Sequence, residues 1–265
     1  MRNSIPFLKS APTVAVVRLS GIISSSGRGA LNDVSLRPML EKAFKKGKPK
    51  VVALVINSPG GSPVQSSLIA ARIRRLSAEH DVPVIAFVED VAASGGYWLA
   101  SAADEIWADE SSIVGSIGVI SMGFGFNQAM ERIGVERRVY TAGKSKSMLD
   151  PFQPEKPDDI KRLKGILEHM HTTFKAQIMK RRAGKLPEDK DLFTGEIWIG
   201  TAALEVGLID GIDQLEPLMK ERFGDKVKFI RYGGKRSLLQ KFGLRIVDDA
   251  LDGLEERAHY ARFGL

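Results

Sequence analysis

The 265-residue sequence contains no cysteine. Disulfides, thiolate nucleophiles and cysteine-ligated metals are thereby excluded. Histidine is also scarce, being limited to His80, His169, His171 and His259. His169 and His171 lie two positions apart in a helical pattern, so they do not share a face and make a poor metal pair. No HExxH, GxGxxG or GxxxxGK[ST] motif occurs, and no metal or cofactor is expected. The opening stretch "MRNSIPFLKSAPTVAVVRLSG" lacks the continuous apolar core of a signal peptide. The longest uncharged run, Ser111–Met130, is broken by glycine, serine, asparagine and glutamine. It reads as buried strands and turns rather than a membrane span.

Hydrophobic residues make up 43% of the chain and charged residues 27%, which is enough apolar material for an ordinary globular core. The net charge of +7 favours acidic partners in principle. The positive residues are dispersed, however, in patches such as "KAFKKGKPK" (Lys42–Lys50) and "KRRAGK" (Lys180–Lys185). Solvated helix faces and loops account for these, and no nucleic-acid partner is expected.

"TVAVVRLSG", "KVVALVINSPGG" and "VPVIAFVED" read as apolar strands at Thr13–Gly21, Lys50–Gly61 and Val82–Asp90. Helical patterns separate them at Ser35–Gly47 and from Ser62, a cap followed by Pro63 at the first helical position. "SGGYWLASAA" begins a further helix and "DEIWAD" a short strand. Gly134–Phe152 reads as a strand followed by a polar loop, and Asp158–Arg182 as a long amphipathic helix. Phe193–Ile212 reads as turn, short strand, helix and return. The alternation predicts an α/β fold with a mainly parallel sheet.

Functional sites of such folds lie at the C-terminal ends of strands. Two of those ends carry glycine pairs: "NSPGGS" around Gly60 and Gly61, and "ASGG" around Ser94 and Gly95. Backbone N–H groups in such turns can hold a developing oxyanion. Ser94 stands where a nucleophile would be exposed at a strand-to-helix turn, without the G-x-S-x-G spelling. The bland alternative makes both pairs close-packing turns and Ser94 a helix cap. No histidine is favoured as its base. Lysine is the other known partner of a catalytic serine. It acts only when neutral, and its ordinary pKa of about 10.4 requires burial to bring that about. "GKSKSMLDPF" offers Lys144 and Lys146, and composition does not choose between them.

"NSPGGS", "VAASGGYWLASAADEIWA", "GSIGVI" and "GKSKSMLDPF", in this order, resemble the bacterial signal peptide peptidase family, the SppA and SohB group of serine peptidases. "FTGEIWIGTAALEVGLIDGI" resembles a further segment of that family, with Glu196 where arginine is common. The resemblance spans residues 12–216. It implies a ClpP/crotonase-like fold of stacked β-β-α units and a Ser-Lys dyad. Ser94 would be the nucleophile and Lys146 the general base. Ser116 would orient the lysine amine, and Gly60 or Gly61 with Gly95 would form the oxyanion turns. Residues 1–11 are then an N-terminal extension and 217–265 a basic, partly helical C-terminal one. The resemblance further implies a peptide substrate, such as a cleaved signal peptide or another unfolded, membrane-derived segment. It also implies a homo-oligomeric ring or dome, such as an octamer, in which serine and lysine can come from neighbouring subunits. The family's usual membrane anchor is not evident, so a cytoplasmic or peripheral membrane location is expected. Two other readings share the fold: a crotonase-type acyl-CoA enzyme, and a non-catalytic scaffold at an anionic membrane.

Overall fold

The structure, a computed structural model, describes residues 11–27, 29–143, 145–233 and 259–265. Residues 1–10 of the expected N-terminal extension, residues 234–258 of the C-terminal one, and Lys144 lie outside the described residues.

Strands β1 (Thr13–Ser20), β2 (Val51–Ser58) and β3 (Val84–Ala93) are near-continuous apolar runs. That is the pattern of strands covered on both faces. They pair in parallel, Val14 with Val51 and Val52 with Val84. Helix α1 (Asp33–Lys45) connects β1 to β2, and α2 (Pro63–His80) connects β2 to β3. Asn32 starts α1 by accepting the Ser35 N–H at 2.9 Å. Ser62 and Pro63 start α2 as their residue types predict.

Strand β3 runs straight into α3 (Gly95–Ala100). Two later strands share β3 as a parallel neighbour. The first, β4 (Glu105–Ala108), pairs with its beginning, and β5 (Ile113–Gly115) with its end. Next come α4 (Asn127–Arg132), α5 (Pro157–Arg181), and β6 (Ile197–Ile199), which is antiparallel to β5. Helix α6 (Gly200–Glu205) leads to β7 (Gly211–Ile212) beside β4, then α7 (Leu215–Phe223) and β8 (Lys228–Tyr232) follow. The sheet is ordered β6-β5-β3-β2-β1-β8, with β4 and β7 attached alongside β3. It is parallel except at β5–β6, as the α/β reading requires. Helix α7 spans residue 216, and β8 pairs with β1, so residues 217–232 belong to the same sheet and its cover.

One sheet face buries Leu40 and Phe44 of α1, Ile69 and Ile73 of α2, and Tyr97 and Leu99 of α3. The other buries Leu218 and Met219 of α7 against Val14, Val16, Val55 and Phe87.

Two local expectations fail in the segment after β5. Ser111–Met130 is buried only as far as Ile117, and Ile120, Met122 and Phe124 are exposed. No strand forms over Gly134–Tyr140; among the described residues 116–156, α4 is the single helix or strand. Apolar content alone does not make a strand, whose backbone needs a partner to satisfy it. This segment leaves the sheet as an arm with no strand beside it among the described residues. Among the described residues, no helix is long and apolar enough to cross a membrane.

Candidate active site

The site forms where β2, β3 and β5 end. Ser94, between β3 and α3, has φ +51° and ψ −120°, backbone angles rare for a residue with a side chain. Two backbone hydrogen bonds hold it there. Its N–H donates to Gly115 O at 2.8 Å, and its carbonyl accepts the Trp98 N–H at 3.0 Å. Ser94 occupies the cap position of α3, yet its hydroxyl makes no capping hydrogen bond. The bland reading of this serine therefore fails. The bland reading of its glycines holds, because a Cβ on Gly95 would come within 2.5 Å of Ser66 Oγ, and one on Gly96 within 2.3 Å of Ser58 O. The pair lets α3 start hard against β2 and α2.

The second glycine turn touches the first. Gly60 has φ +104°, and a Cβ there would lie 2.8 Å from Gly95 N and 2.9 Å from Ser94 Cβ. Ile23 latches the turn: its N–H donates to Gly60 O at 2.8 Å, and its carbonyl accepts the Ser62 N–H at 2.7 Å. Ser58, fully buried, adds a second latch. Its hydroxyl donates to Gly21 O at 2.7 Å and accepts the Gly60 N–H at 3.3 Å. The Gly60 donor is thus committed. The N–H groups of Gly61 and Gly95 have no acceptor among the described residues. Two free donors next to an uncommitted hydroxyl are what an acyl-transfer site requires. Ser58 escaped the sequence reading, since a serine at a strand end carries no signal until its contacts are known.

Ser116 follows β5 as Ser94 follows β3, and the preceding residues, Ala93 and Gly115, are register partners. Ser116 is 8% exposed and has φ +50°. Its N–H donates to Glu196 O at 2.7 Å. The Glu196 side chain is exposed, so it is the backbone there that holds Ser116.

Lys146 stands apart. It lies on an exposed turn of the arm, and its amine makes no hydrogen bond or ion pair among the described residues. The arm is braced internally by Arg137, which pairs with Asp150 at 2.7 Å and stacks over Phe152 at 4.6 Å. One chain therefore gathers Ser94, Ser116, Gly60, Gly61 and Gly95, but hydrogen-bonds Lys146 to neither serine. Among the described residues, one chain does not supply the burial that a basic lysine needs.

Behind α3 the support is polar and buried. The Tyr97 hydroxyl, with its pKa pushed up by burial, donates to Leu208 O at 2.7 Å. Arg182, 2% exposed, donates to Asp210 at 2.6 Å and to Gly207 O. Among the described residues, no group of three or more His, Asp or Glu side chains could hold a metal ion. A broad groove over the α7 face, lined by Arg18, Glu89, Asp109 and Asp213, includes none of the candidate residues.

The family model "Peptidase family S49" matches residues 77–224. A putative signal peptide peptidase SppA of Enterococcus faecium is 31% identical over 81% of this chain and 65% of its own length. A protein of Brucella melitensis named "Na(+)/H(+) antiporter NhaA" is 50% identical over 95% of this chain, but over 37% of its own length. The chain thus spans between about a third and two thirds of these relatives, and the antiporter name rests on a protein of which most lies outside the match. A solved structure of a 1510-N membrane-bound stomatin-specific protease with a substrate peptide overlaps 92% of this chain and 98% of its own, at 13% identity and a TM-score of 0.48.

Proposed function

The chain belongs to peptidase family S49, and from that premise we propose that it is a serine peptidase working through Ser94 and Lys146. The observation that carries the proposal is the Ser94 hydroxyl. It is held at a strained turn, unused as a cap, beside the free N–H groups of Gly61 and Gly95. Neutral Lys146 takes the Ser94 Oγ proton as Oγ attacks a peptide carbonyl carbon. The resulting oxyanion accepts hydrogen bonds from Gly61 and Gly95. On collapse the C–N bond breaks, and the lysine ammonium returns its proton to the leaving amine. Lys146 then deprotonates a water that hydrolyses the acyl ester, and Ser94 is regenerated. Ser116 accepts or donates at the amine and so fixes its direction.

In this reading Lys146 comes from a neighbouring copy of the chain. The arm that carries it exposes Ile120, Met122, Phe124, Ile133 and Tyr140. Exposed apolar side chains gathered on one segment suit a surface that a partner covers. Covering it would also exclude water from the amine, which favours the neutral base. The substrates that suit the reading are unfolded or membrane-derived peptides, including cleaved signal peptides.

The test is a fluorophosphonate probe followed by peptide mass spectrometry. Labelling confined to Ser94, and lost in a folded Lys146→Ala variant, is the expected result. An unlabelled protein that turns over acyl-CoA thioesters, or binds anionic vesicles with no reaction at all, would replace this reading with one of its rivals.

A further inference from the structure

One histidine sits where it can act on the proposed site without touching a substrate. His171 Nε2 lies 3.1 Å from the carbonyl oxygen of Ile117, the residue directly after Ser116. A carbonyl only accepts, so Nε2 carries the proton and donates. His171 shares one face of α5 with Phe174 and Ile178, at i, i+3 and i+7. Phe174 stacks on Trp98 of α3, with ring centroids 4.9 Å apart and planes at 21°. Arg181, at the end of the same helix, donates to Ser101 O at 2.9 Å and Ala103 O at 2.8 Å. Helix α5 is therefore bolted to the helix that follows Ser94, and through His171 it also grips the turn that holds Ser116.

That turn needs a grip. Ser116 sits at φ +50°, and Gly118 N–H bonds back to Ser116 O at 2.9 Å, a tight reversal at the root of the arm. The Ile117 side chain is fully buried, which anchors one side of the residue. Its carbonyl has one described donor from outside the turn, His171. We infer that His171 is a positioning residue of the Ser-Lys reaction: by holding the Ile117 carbonyl, it fixes Ser116 beside Ser94 and sets where the Lys146 arm leaves the core. The inference rests on the dyad reading above.

The test compares His171→Phe, which keeps a flat ring but has no donor, with His171→Gln, which restores an N–H at similar reach. Steady-state cleavage of an unfolded fluorogenic protein and the rate of Ser94 labelling by a fluorophosphonate are both read. His171→Phe lowers kcat about tenfold with KM little changed, and His171→Gln returns to within about threefold of wild type. A role confined to packing would treat Phe as the better replacement. A His171→Phe variant as active as wild type, or a Gln variant no better than Phe, overturns the inference. Nitrogen-15 NMR of the resting protein gives a reading independent of turnover. It should find the His171 ring protonated on Nε2, and protonation on Nδ1 alone would overturn the clamp. Lys146→Ala, assayed alongside, separates the two levels. Its full activity sinks the dyad and the inference with it, whereas a dead Lys146→Ala beside an unaffected His171→Phe sinks the clamp alone.

Discussion

Ser94 and Ser116 end adjacent parallel strands, and both adopt left-handed backbone angles, with φ +51° and +50°. The Ser94 N–H reaches Gly115 O at 2.8 Å, so the position of Ser94 depends on the strand that leads into Ser116. Non-glycine residues in this region cost about 1–3 kcal/mol each and persist where surrounding structure enforces them.

That relationship yields a stability–activity prediction. Ser94→Gly removes the strain and the proposed nucleophile together. Peptide cleavage should fall by about a thousandfold or more, while stability stays level or rises by about 1 kcal/mol. Ser116→Gly should likewise leave stability level or higher and lower kcat by about ten- to a hundredfold. Urea unfolding midpoints read beside kcat check both. A Ser94→Gly chain that loses stability as it loses activity would mean that the serine's contacts, not its chemistry, matter there.

The turn opposite makes the contrary prediction. Gly60→Ala forces a methyl to within 2.9 Å of Ser94 Cβ at φ +104°, so both activity and folding should suffer. Ser58→Ala is milder. It frees Gly21 O and the Gly60 N–H, costs about 1–3 kcal/mol, and should lower kcat by loosening the Gly61 donor. Thermal melts and steady-state kinetics on the two variants decide the matter. An unimpaired kcat in Ser58→Ala would remove the latch from the account.

The sheet was legible because β1, β2 and β3 are continuous apolar runs with caps and glycine stops between them. The glycine turns and Ser94 were legible as strand-end features, whereas Ser116 came only with the family resemblance, since each motif alone is weak. The arm was not. Its apolar residues, Ile120 to Tyr140, look like a strand's, and only the structure shows that they pair with no strand among the described residues. Ser58 and His171 were invisible for another reason. Each acts through a backbone carbonyl far away in sequence, and no local pattern records such a contact.

Asp210 supplies a pH prediction. Burial pushes its carboxyl pKa up, but hydrogen bonds from Arg182, Lys185 and the Ile106 N–H outweigh this, and the net shift is below the ordinary 3.8. A carboxylate depressed in the folded state contributes stability that is complete above the unfolded value and is lost as pH falls through the folded one. Asp210→Asn leaves Arg182, 2% exposed, without its counter-charge, and should cost about 3 kcal/mol near neutrality. Acidification from pH 6 to about pH 3 should then weaken the variant less than the wild type. Parallel losses in urea titrations across that range would assign the acid limb to other carboxylates, such as Asp33 beside Arg72.

The arm carries the last prediction. If Lys146 serves the Ser94 of a neighbouring chain, two dead variants complement each other. Ser94→Ala chains still offer a lysine, and Lys146→Ala chains still offer a serine. Unfolded together and refolded at equal ratio, they should recover about a quarter of wild-type activity, the share of junctions that pair both intact residues at random. Phe124→Ser, placed on the exposed arm, should shift the assembly towards smaller species on sizing and lower activity in proportion. Complementation that fails while each wild-type chain remains active as a monomer would return Lys146 to its own chain's serine. The arm would then have to fold back over the site by a movement that buries the amine.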